Sequence, residues 1–235
     1  MRSFLIPDEC VSTTEGILGI VMLKVGLTGG IASGKSVVGE MFVALGAHLV
    51  QADRIAHSLM QPGEMVYSEV VRHFGRGIVN PDGSVNRAKL AELAFGSGSS
   101  PGKRPSRVEE LNRIVHPAVI RRQEEWMNDV GREDRGAVAI VEAALILEAG
   151  AGQRFDRLVV VTCHAEQRAE RFAARHQIDL ESARKEVARR MAAQLPDEEK
   201  INAAHFVIDN SGSLQSTRAQ VHQVWEKLES EAEKK

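Results

Sequence analysis

The sequence is poor in cysteine and contains no long apolar run. Its two cysteines, Cys10 and Cys163, have the spacing of neither a metal site nor a disulfide framework, which favours a reducing, cytoplasmic setting. No stretch approaches the ~20 consecutive apolar residues that a transmembrane helix needs. We therefore expect a protein that has no membrane partner.

A large excess of charge of one sign is also absent. The net charge is −2 and the isoelectric point is near 6.5, so the composition gives no electrostatic reason to expect a nucleic-acid partner. Residues 1–21 lack a clean basic start, apolar middle and small-residue cleavage site of a signal peptide. We interpret them as an N-terminal extension of uncertain structure, followed by one domain with insertions over residues 22–235.

The most informative stretch is the octet at residues 29–36, which reads GGIASGKS. It fits G-x-x-x-x-G-K-[ST], the pattern of a loop that binds nucleotide phosphates. Gly29 and Gly34 permit backbone angles that side chains disfavour, so the N–H groups of the loop can surround an anion. Lys35 adds a positive charge for the outer phosphates, and Ser36 offers a hydroxyl to Mg²⁺.

The residues around the octet supply the strand and the helix that such a loop requires. Residues 22–28 form a short apolar run that is typical of a buried strand. Apolar residues then recur at helical spacing, and Gly46 is a stop signal for that helix. This context favours a phosphate loop over a chance glycine turn.

Asp53 is the second candidate functional residue. Residues 48–51 indicate another strand, and Asp53 follows its carboxyl end. Because ligands bind at the carboxyl ends of strands in open α/β sheets, Asp53 is expected to face the phosphates. The alternative interpretation is that Asp53 caps the N-terminus of a helix over residues 54–60, and one residue can do both.

The remaining strands complete an α/β pattern. Apolar runs at residues 137–141, 157–162 and 206–208 predict three more strands, and the alternation with helices predicts a five-stranded parallel sheet. A last helix is predicted over residues 214–228, with a charged tail that frays.

Between the second and third strands, the sequence predicts a helical region with two interruptions. The glycine- and serine-rich residues 96–102 indicate an exposed loop, and residues 75–86 are read as a turn. The pair His116 and Pro117 predicts a boundary between two helices, because proline tends to break or start a helix.

Residues 165–200 are rich in arginine. Runs of this kind usually form solvated helix faces with ion pairs between residues four apart. The functional alternative is a lid that brings arginines onto a phosphoryl group during transfer, where positive charge is needed.

Several stretches beyond the phosphate loop resemble the dephospho-coenzyme A kinase family, and the resemblance covers about residues 22–228. The matching segments are Val25-Gly26-Leu27-Thr28-Gly29-Gly30-Ile31, Ala52-Asp53, Phe74-Gly75, Asp82-Gly83, Arg87, Leu90, Phe95, Leu111-Asn112, Val115-His116-Pro117, Leu145-Ile146-Leu147-Glu148 and Val207-Ile208-Asp209-Asn210. In the arginine-rich region, the positions similar to the family are Arg171, Arg175, Arg190, Gln194 and Lys200.

The resemblance implies a P-loop kinase core with a helical substrate-binding insertion and a small helical lid. The core is expected over residues 22–60, 135–164 and 203–232, the substrate-binding region over about 61–134, and the lid over about 165–200. The implied reaction transfers the γ-phosphate of ATP, with Mg²⁺, to the 3′-hydroxyl of dephospho-coenzyme A, the last step of coenzyme A synthesis. We expect a cytoplasmic monomer or weak homo-oligomer.

The resemblance also implies roles for individual residues. Asp53 and Lys35 are expected to be catalytic, with Asp53 accepting the hydroxyl proton, and Ser36 is expected to bind the metal. ATP is expected at Gly29, Gly30, Ile31, Ala32, Ser33, Gly34, Lys35, Ser36, Val37, Arg171, Arg175 and Asn210. The acceptor is expected at Asp53, Arg87, His116 and Gln194. For His116 the residues alone favour a structural role, as a hydrogen-bonding residue at a helix boundary, and only the resemblance implies contact with the acceptor.

Five positions depart from the family pattern. They are Ala32 for glycine, Val37 for a small hydroxyl residue, Gln51 for aspartate, Ala144 for proline and His205 for aspartate. Glu142, at the end of a predicted strand, can supply the acidic group that Gln51 lacks, or can cap the next segment.

Two other functions fit the same residues. Another small-metabolite or nucleoside monophosphate kinase would share Lys35, Ser36 and Asp53 but not the stretch around His116. A nucleotide-binding protein that has lost catalysis is suggested by Ala32, Gln51 and His205. Turnover of dephospho-coenzyme A with ATP separates the three hypotheses.

Overall fold

The computed structural model describes residues 22–95 and 107–235. Its centre is a parallel sheet of β1 (Met22–Gly29), β2 (His48–Gln51), β3 (Ala137–Glu142), β4 (Arg157–Thr162) and β5 (Phe206–Asp209). The strand order is β2-β3-β1-β4-β5, and every pairing is parallel. This confirms the predicted five-stranded α/β fold.

The apolar runs form the middle of the sheet because helices cover both of its faces. All six residues of β3 are buried, and β1 is buried at seven of its eight positions. The edge strands β2 and β5 are more exposed. Near-continuous apolar sequence is what a two-sided burial of parallel strands requires.

The helices are α1 (Lys35–Val43), α2 (Ala52–Leu59), α3 (Met65–Phe74), α4 (Arg87–Phe95), α5 (Val108–Glu133), α6 (Ala165–His176), α7 (Leu180–Met191), α8 (Asp197–Ala203) and α9 (Leu214–Ala232). Helices α1 and α9 pack on one face of the sheet, and part of α5 packs on the other. Helices α2 to α5 share a separate apolar cluster. Among the described residues, no helix combines the length and the apolar composition needed to cross a membrane.

The predicted helix boundary at His116 and Pro117 is wrong. Helix α5 runs through Pro117 without interruption. The proline ring is exposed, whereas Val115 and Val119 on either side are 7% exposed and packed into the helical cluster. Burial of the apolar face therefore outweighs the one backbone hydrogen bond that proline removes.

The C-terminal segment also differs from the prediction. Helix α9 continues to Ala232, which is buried, rather than fraying after residue 228. The Lys235 ammonium then pairs with Asp156 at 2.7 Å and donates to the Met22 carbonyl at 3.2 Å. The charged tail is thus fastened to the start of β1.

The predicted turn at residues 75–86 contains a short 3-10 helix, Arg76–Ile78, and an antiparallel bridge between Val79 and Val85. These residues form a small hairpin, which we call the 79–85 hairpin. The predicted exposed loop at residues 96–102 and the first cysteine, Cys10, lie outside the described residues.

Candidate active site

The phosphate loop connects β1 to α1 at the carboxyl edge of the sheet. Gly29 has φ +148° and Gly34 has φ +95°, angles that side chains disfavour. A Cβ atom at Gly29 would lie 2.2 Å from the Val161 carbonyl oxygen, and one at Gly34 would lie 2.1 Å from Asn210 Nδ2. The loop is therefore packed so closely that both positions require glycine.

Lys35 folds back onto its own loop. Its Nζ donates to the carbonyl oxygens of Gly29 at 2.9 Å and Gly30 at 3.0 Å. Burial lowers the pKa of Lys35 from 10.5 to about 8. Neighbouring charges act on the same pKa, and those that reach it belong to Glu142, Lys200, Asp53 and Arg168. Two carboxylates and two cations therefore lie close enough to act on the Lys35 ammonium.

Ser36 and Glu142 meet at the start of α1. The Ser36 hydroxyl donates to Glu142 Oε1 at 2.7 Å, and the Gln51 side-chain amide donates to Glu142 Oε2 at 2.8 Å. Glu142 is 8% exposed and ends β3. The hydroxyl and the carboxylate are oxygen donors of the kind that Mg²⁺ prefers.

Asp53 is the second residue of α2, two residues after Gln51, which ends β2. The N-cap of α2 is Gln51, so the interpretation of Asp53 as the cap is wrong. Strand β2 pairs through β3 with β1, so that Asp53 and the phosphate loop both follow the carboxyl ends of strands. The Asp53 side chain is exposed and its charge acts on Lys35.

Asn210 and Arg171 support the loop from behind Ser33. Asn210 Nδ2 donates to the Ser33 carbonyl oxygen at 2.9 Å, and Arg171 donates to the same oxygen at 3.3 Å. Arg171 also donates to the Asn210 carbonyl at 2.8 Å. Thr217 fixes the amide orientation by donating to Asn210 Oδ1 at 2.9 Å. Arg171 and Asn210, which were predicted to bind ATP, therefore lie against the phosphate loop although they are far from it in the sequence.

Arg168 is a residue that sequence reasoning did not distinguish from the other arginines. It is 1% exposed, and its Nη1 occupies the space next to Gly30, 2.0 Å from where a Cβ atom would be. The guanidinium pairs with Asp197 and donates to the Cys163 carbonyl at 3.3 Å. The sequence did not indicate that Arg168 is buried, because it is one of many arginines in residues 165–200 and its spacing does not distinguish it from the exposed ones.

Lys200 is the second buried cation near the loop. It is 1% exposed, pairs with Glu148 at 2.8 Å and donates to Gln194 Oε1 at 3.1 Å. Glu148 Oε1 also accepts from the backbone N–H of Leu195 at 3.1 Å. Gln194 therefore orients Lys200 in this structure.

Four other predicted residues are exposed: Val37, Arg87, His116 and Arg175. Val37 is in the first turn of α1, and Arg175 is in the last turn of α6, beyond Arg171. Arg87 lines a separate cavity in the helical region. The side chain of His116 makes no hydrogen bond to another residue within the described ranges 22–95 and 107–235, so the structure gives it no bonding role at a helix boundary.

The sequence profile of the dephospho-CoA kinase family matches residues 23–216 of this chain. Proteins named dephospho-CoA kinase from Aquifex aeolicus and Symbiobacterium thermophilum are 37% and 42% identical to it. Those alignments cover 88% and 87% of this chain, and 98% and 80% of the two relatives. The chain belongs to the dephospho-CoA kinase family.

Two solved structures share the fold of this chain. One from Thermus thermophilus superposes with a TM-score of 0.70 at 30% identity, over 88% of this chain and 97% of the other. A dephospho-CoA kinase from Campylobacter jejuni gives a TM-score of 0.56 at 22% identity, over 88% and 98% of the two chains. The second likeness shows the fold alone.

Family membership gives meaning to the departures noted in the sequence. Ala32 has φ +53°, in the left-handed region, where the glycine that the resemblance implies would be unstrained. Its methyl group packs with Ile31 against the small cluster of Phe172, Ala183 and Val187 between α6 and α7. This contact offsets part of the backbone strain, which is of order 1–3 kcal/mol.

The other departures from the family pattern leave the local bonding intact. Gln51 donates to Glu142, as described above, and the carbonyl of Ala144 accepts from Thr28 Oγ1 at 3.3 Å, which a proline carbonyl can also do. His205 lies before β5, at the opposite edge from the phosphate loop, where its Nδ1 accepts from the Leu158 N–H at 3.0 Å. An aspartate oxygen can accept the same bond, so His205 is no sign of lost catalysis.

Proposed function

We propose that this chain transfers the γ-phosphate of ATP to the 3′-hydroxyl of dephospho-coenzyme A, giving coenzyme A and ADP. The observation that carries the proposal is the placement of Asp53 and the phosphate loop at one edge of the sheet, in a chain of the dephospho-CoA kinase family. Phosphoryl transfer needs positioning and charge neutralisation, and this edge supplies both.

ATP is proposed to bind with its phosphates inside the loop at residues 29–37. In the free protein Lys35 donates to two loop carbonyls, and those weak partners can be exchanged for phosphate oxygens, which accept stronger charge-assisted bonds. Arg171 and Asn210 keep the loop in shape through Ser33. Arg175 is proposed to contact ATP from the exposed end of α6.

Mg²⁺ is proposed as the metal, with Ser36 as its ligand and Glu142 beside it. Within the described residues, no group of three or more acidic, histidine or cysteine side chains could hold a metal ion alone. That pattern fits Mg²⁺, which usually uses one or two protein oxygens together with substrate phosphates and water. When bound, the metal neutralises charge on the phosphates.

The acceptor hydroxyl is proposed to lie between Asp53 and the γ-phosphate. As its oxygen attacks phosphorus, the new O–P bond forms and the bond from phosphorus to the β-phosphate oxygen breaks, releasing ADP. The hydroxyl proton passes to the Asp53 carboxylate and later to solvent. Exposure of Asp53 in the free protein leaves room for the acceptor.

The acceptor is proposed to extend over the helical region at residues 61–134, with Arg87, His116 and Gln194 as further contacts. Residues 165–200 are proposed to form a lid, since α6 and α7 already pack on loop residues Ile31 and Ala32. We further propose a cytoplasmic monomer or weak homo-oligomer without nucleic-acid or membrane partners, in keeping with the balanced charge and few cysteines.

The lid proposal predicts a change in backbone protection. Amide hydrogen exchange in residues 165–200 should slow when ATP and dephospho-coenzyme A are both present, because closure buries the exposed ends of α6 and α7. Mass spectrometry of peptides from α9 provides an internal reference that should not change. Equal exchange in both states would leave these helices as a fixed support for the loop.

The test of the function is turnover. The chain, ATP and Mg²⁺ are incubated with dephospho-coenzyme A, and coenzyme A is measured by mass spectrometry. Lys35→Ala should abolish transfer and weaken ATP binding. Parallel reactions with nucleoside monophosphates and other small alcohols examine the first alternative, and ATP binding without turnover of any acceptor would favour the second.

A further inference from the structure

Gly30 differs from the other two glycines of the phosphate loop. Gly29 and Gly34 have positive φ angles, which favour glycine, whereas Gly30 does not. What a side chain at Gly30 would meet first is the guanidinium of Arg168, with the carboxylate of Asp197 next to it. The lack of a side chain at Gly30 therefore allows a buried cation to pack directly against the backbone of the loop.

Arg168 is held in that place by its other contacts. Its two Nη atoms donate to the carboxylate of Asp197, the first residue of α8, and its Nε and Nη2 donate to the Cys163 carbonyl oxygen at 3.3 Å. The side chain is 1% exposed, so water and salt screen these bonds little. Because the guanidinium is planar, bonds to two acceptors fix both its position and its orientation. Arg168 therefore presents a fixed surface to Gly30.

Gly30 begins a tight turn within the phosphate loop. Its carbonyl oxygen accepts from the backbone N–H of Ser33 at 3.3 Å and from Lys35 Nζ at 3.0 Å. The turn contains Ala32 in the left-handed region, at φ +53°. A strained residue of this kind persists only where its surroundings hold it. The shape of the turn therefore depends on contacts from outside the loop, and the turn in turn holds the Lys35 ammonium.

Two of these outside contacts come from α6 and from the residues just before it. Cys163 Sγ donates to the Ala32 carbonyl oxygen at 3.8 Å, and the apolar cluster that contains Phe172 packs against the Ala32 side chain. Both contacts are made near the middle of the turn. Arg168 extends the support to the first residue of the turn and, through Asp197, connects it to α8.

We propose that Arg168, held by Asp197, is a positioning residue for ATP binding, because it sets the place of the Gly30 peptide and with it the shape of the turn. The proposal rests on the proposed function and names a residue outside the loop on which ATP affinity depends. Arg168 acts through the Gly30 backbone and makes no contact of its own with ATP. Since the N–H groups of such a loop must converge on one anion, a small displacement of the turn weakens several bonds at once.

The first test measures nucleotide binding directly. A non-hydrolysable ATP analogue with Mg²⁺ is titrated into the chain by calorimetry, which gives the Kd and the number of binding sites separately. Arg168→Ala should raise the Kd by about 10- to 100-fold, the effect expected for loss of a bond to a charged group. A purely structural role would reduce the number of sites, through unfolded protein, and leave the Kd of the folded molecules unchanged. That result overturns the proposal.

A double-variant cycle tests the contact between Arg168 and Gly30. Gly30→Ala should raise the Kd for the analogue, because its methyl group needs the space that the guanidinium occupies. In Arg168→Ala that space is free, and the φ of Gly30 is not in the left-handed region. Adding Gly30→Ala to Arg168→Ala should therefore change the Kd by less than about twofold. If Gly30→Ala causes the same loss in both backgrounds, the guanidinium is not what its methyl group displaces, and the proposal is wrong.

Arg168→Lys separates the position of the side chain from its charge. It keeps a cation for Asp197 but lacks the planar fork that also reaches the Cys163 carbonyl, so its Kd should lie between those of Arg168→Ala and the wild type. It also provides the comparison if Arg168→Ala does not fold. A wild-type Kd in Arg168→Lys would mean that the charge alone acts on ATP, and it would contradict a positioning role.

Arg157→Ala is the matched control. Arg157 also pairs with a carboxylate, that of Glu231 at 2.7 Å, and donates to a backbone carbonyl, that of Asp156 at 2.7 Å. It begins β4, at the edge of the sheet opposite the phosphate loop, so its variant should keep the wild-type Kd. An equal rise in Kd for Arg157→Ala would show a general effect of stability and overturn the proposal.

The same titrations distinguish this proposal from the proposed function. If the wild type does not bind the analogue, the proposed function fails and the positioning role fails with it. If the wild type binds the analogue and Arg168→Ala binds it with the same Kd, only the positioning role fails. No acceptor is present in these titrations, so their result does not depend on whether dephospho-coenzyme A is turned over.

Discussion

At the scale of single residues, the charge state of Lys35 sets how the phosphate loop responds to pH. Burial places its pKa at about 8 in the free protein, below the ordinary 10.5. Between these two values the folded chain binds fewer protons at this site than the unfolded chain. The contribution of Lys35 to the free energy of unfolding therefore rises with pH over that window.

Binding of ATP should reverse this shift in the pKa of Lys35. The negative phosphates favour the ammonium form, so binding near pH 8 should be accompanied by net uptake of protons. Calorimetric titration of ATP in buffers of different ionisation enthalpy measures this uptake. Lys35→Met is the matched variant, because it keeps an unbranched side chain of nearly the same length and removes the titrating group. A binding heat that is independent of the buffer in the wild type would contradict the prediction.

Asp53 provides a second prediction at this scale. Asp53→Asn removes the basic carboxylate but keeps the shape, so turnover should fall by ~10²–10⁴-fold, the usual contribution of a general base. ATP affinity should change little, because the base acts on the acceptor. Since Gln51 is the cap of α2 and Asp53 is exposed, stability should fall by no more than ~1 kcal/mol.

The measurements for Asp53→Asn are steady-state kinetics, ATP titration and thermal unfolding. Glu69→Gln serves as the control, as an exposed acid on α3 outside the site. Turnover at the wild-type level in Asp53→Asn would assign the base to another group.

At the scale of elements, the arginine-rich helices contain two kinds of ion pair. Arg184 with Glu166, and Arg189 and Arg190 with Glu186, are exposed pairs of the kind that the sequence pattern indicates. The pair of Arg168 with Asp197 differs, because it fastens the start of α8 to α6 and to the phosphate loop. The interpretation as solvated helix faces therefore holds for these exposed pairs but not for Arg168, and the lid stays a proposal.

Substitution of this pair should show strong coupling. Asp197→Leu leaves a buried guanidinium without its carboxylate and should cost on the order of 3 kcal/mol, the lower end for a broken buried pair because Asp197 is one-third exposed. The double variant Arg168→Leu with Asp197→Leu should recover most of that loss, since apolar replacement of a buried pair is often neutral. Chemical denaturation of the four proteins gives the coupling energy.

The exposed pair of Glu181 and Lys185 on α7, each 76% exposed, is the control for that cycle. Its coupling should be about 0.3–0.5 kcal/mol, as for other exposed helix pairs. A coupling of the same small size for Arg168 and Asp197 would mean that water screens the buried pair as well.

The elements that could be predicted from sequence are those whose pattern depends on local burial. The strand predicted at residues 157–162 coincides with β4, because burial on both faces of the sheet selects a continuous apolar run. The strand predicted at residues 48–51 coincides with the edge strand β2, although its residues are only partly buried. The continuity of α5 through Pro117 could not be predicted from the sequence, because it depends on the packing of Val115 and Val119 against distant helices. The same limit applies to Arg168, whose partners Cys163 and Asp197 are fixed only by the tertiary fold.

At the scale of the whole molecule, the sheet joins the two ends of the described chain. Met22 and Leu23 begin β1, are 3% and 2% exposed, and pair in register with Ala137 and Val138 of β3. Lys235 closes on the carbonyl of Met22. The first two residues of β1 are therefore part of the core that the described residues form.

This arrangement predicts different outcomes for two truncations. Removal of residues 1–21 should leave turnover and Tm unchanged, because the phosphate loop and its strand use contacts that begin at Met22. Removal of residues 1–23, with a new start at Lys24, takes two buried side chains out of the core and should lower the free energy of unfolding by several kcal/mol, at ~2–5 kcal/mol for each large apolar side chain lost from a core. Thermal unfolding and turnover per folded molecule are measured on both truncations and on the full chain. Loss of folded protein in the shorter truncation would instead show that residues 1–21 stabilise the core.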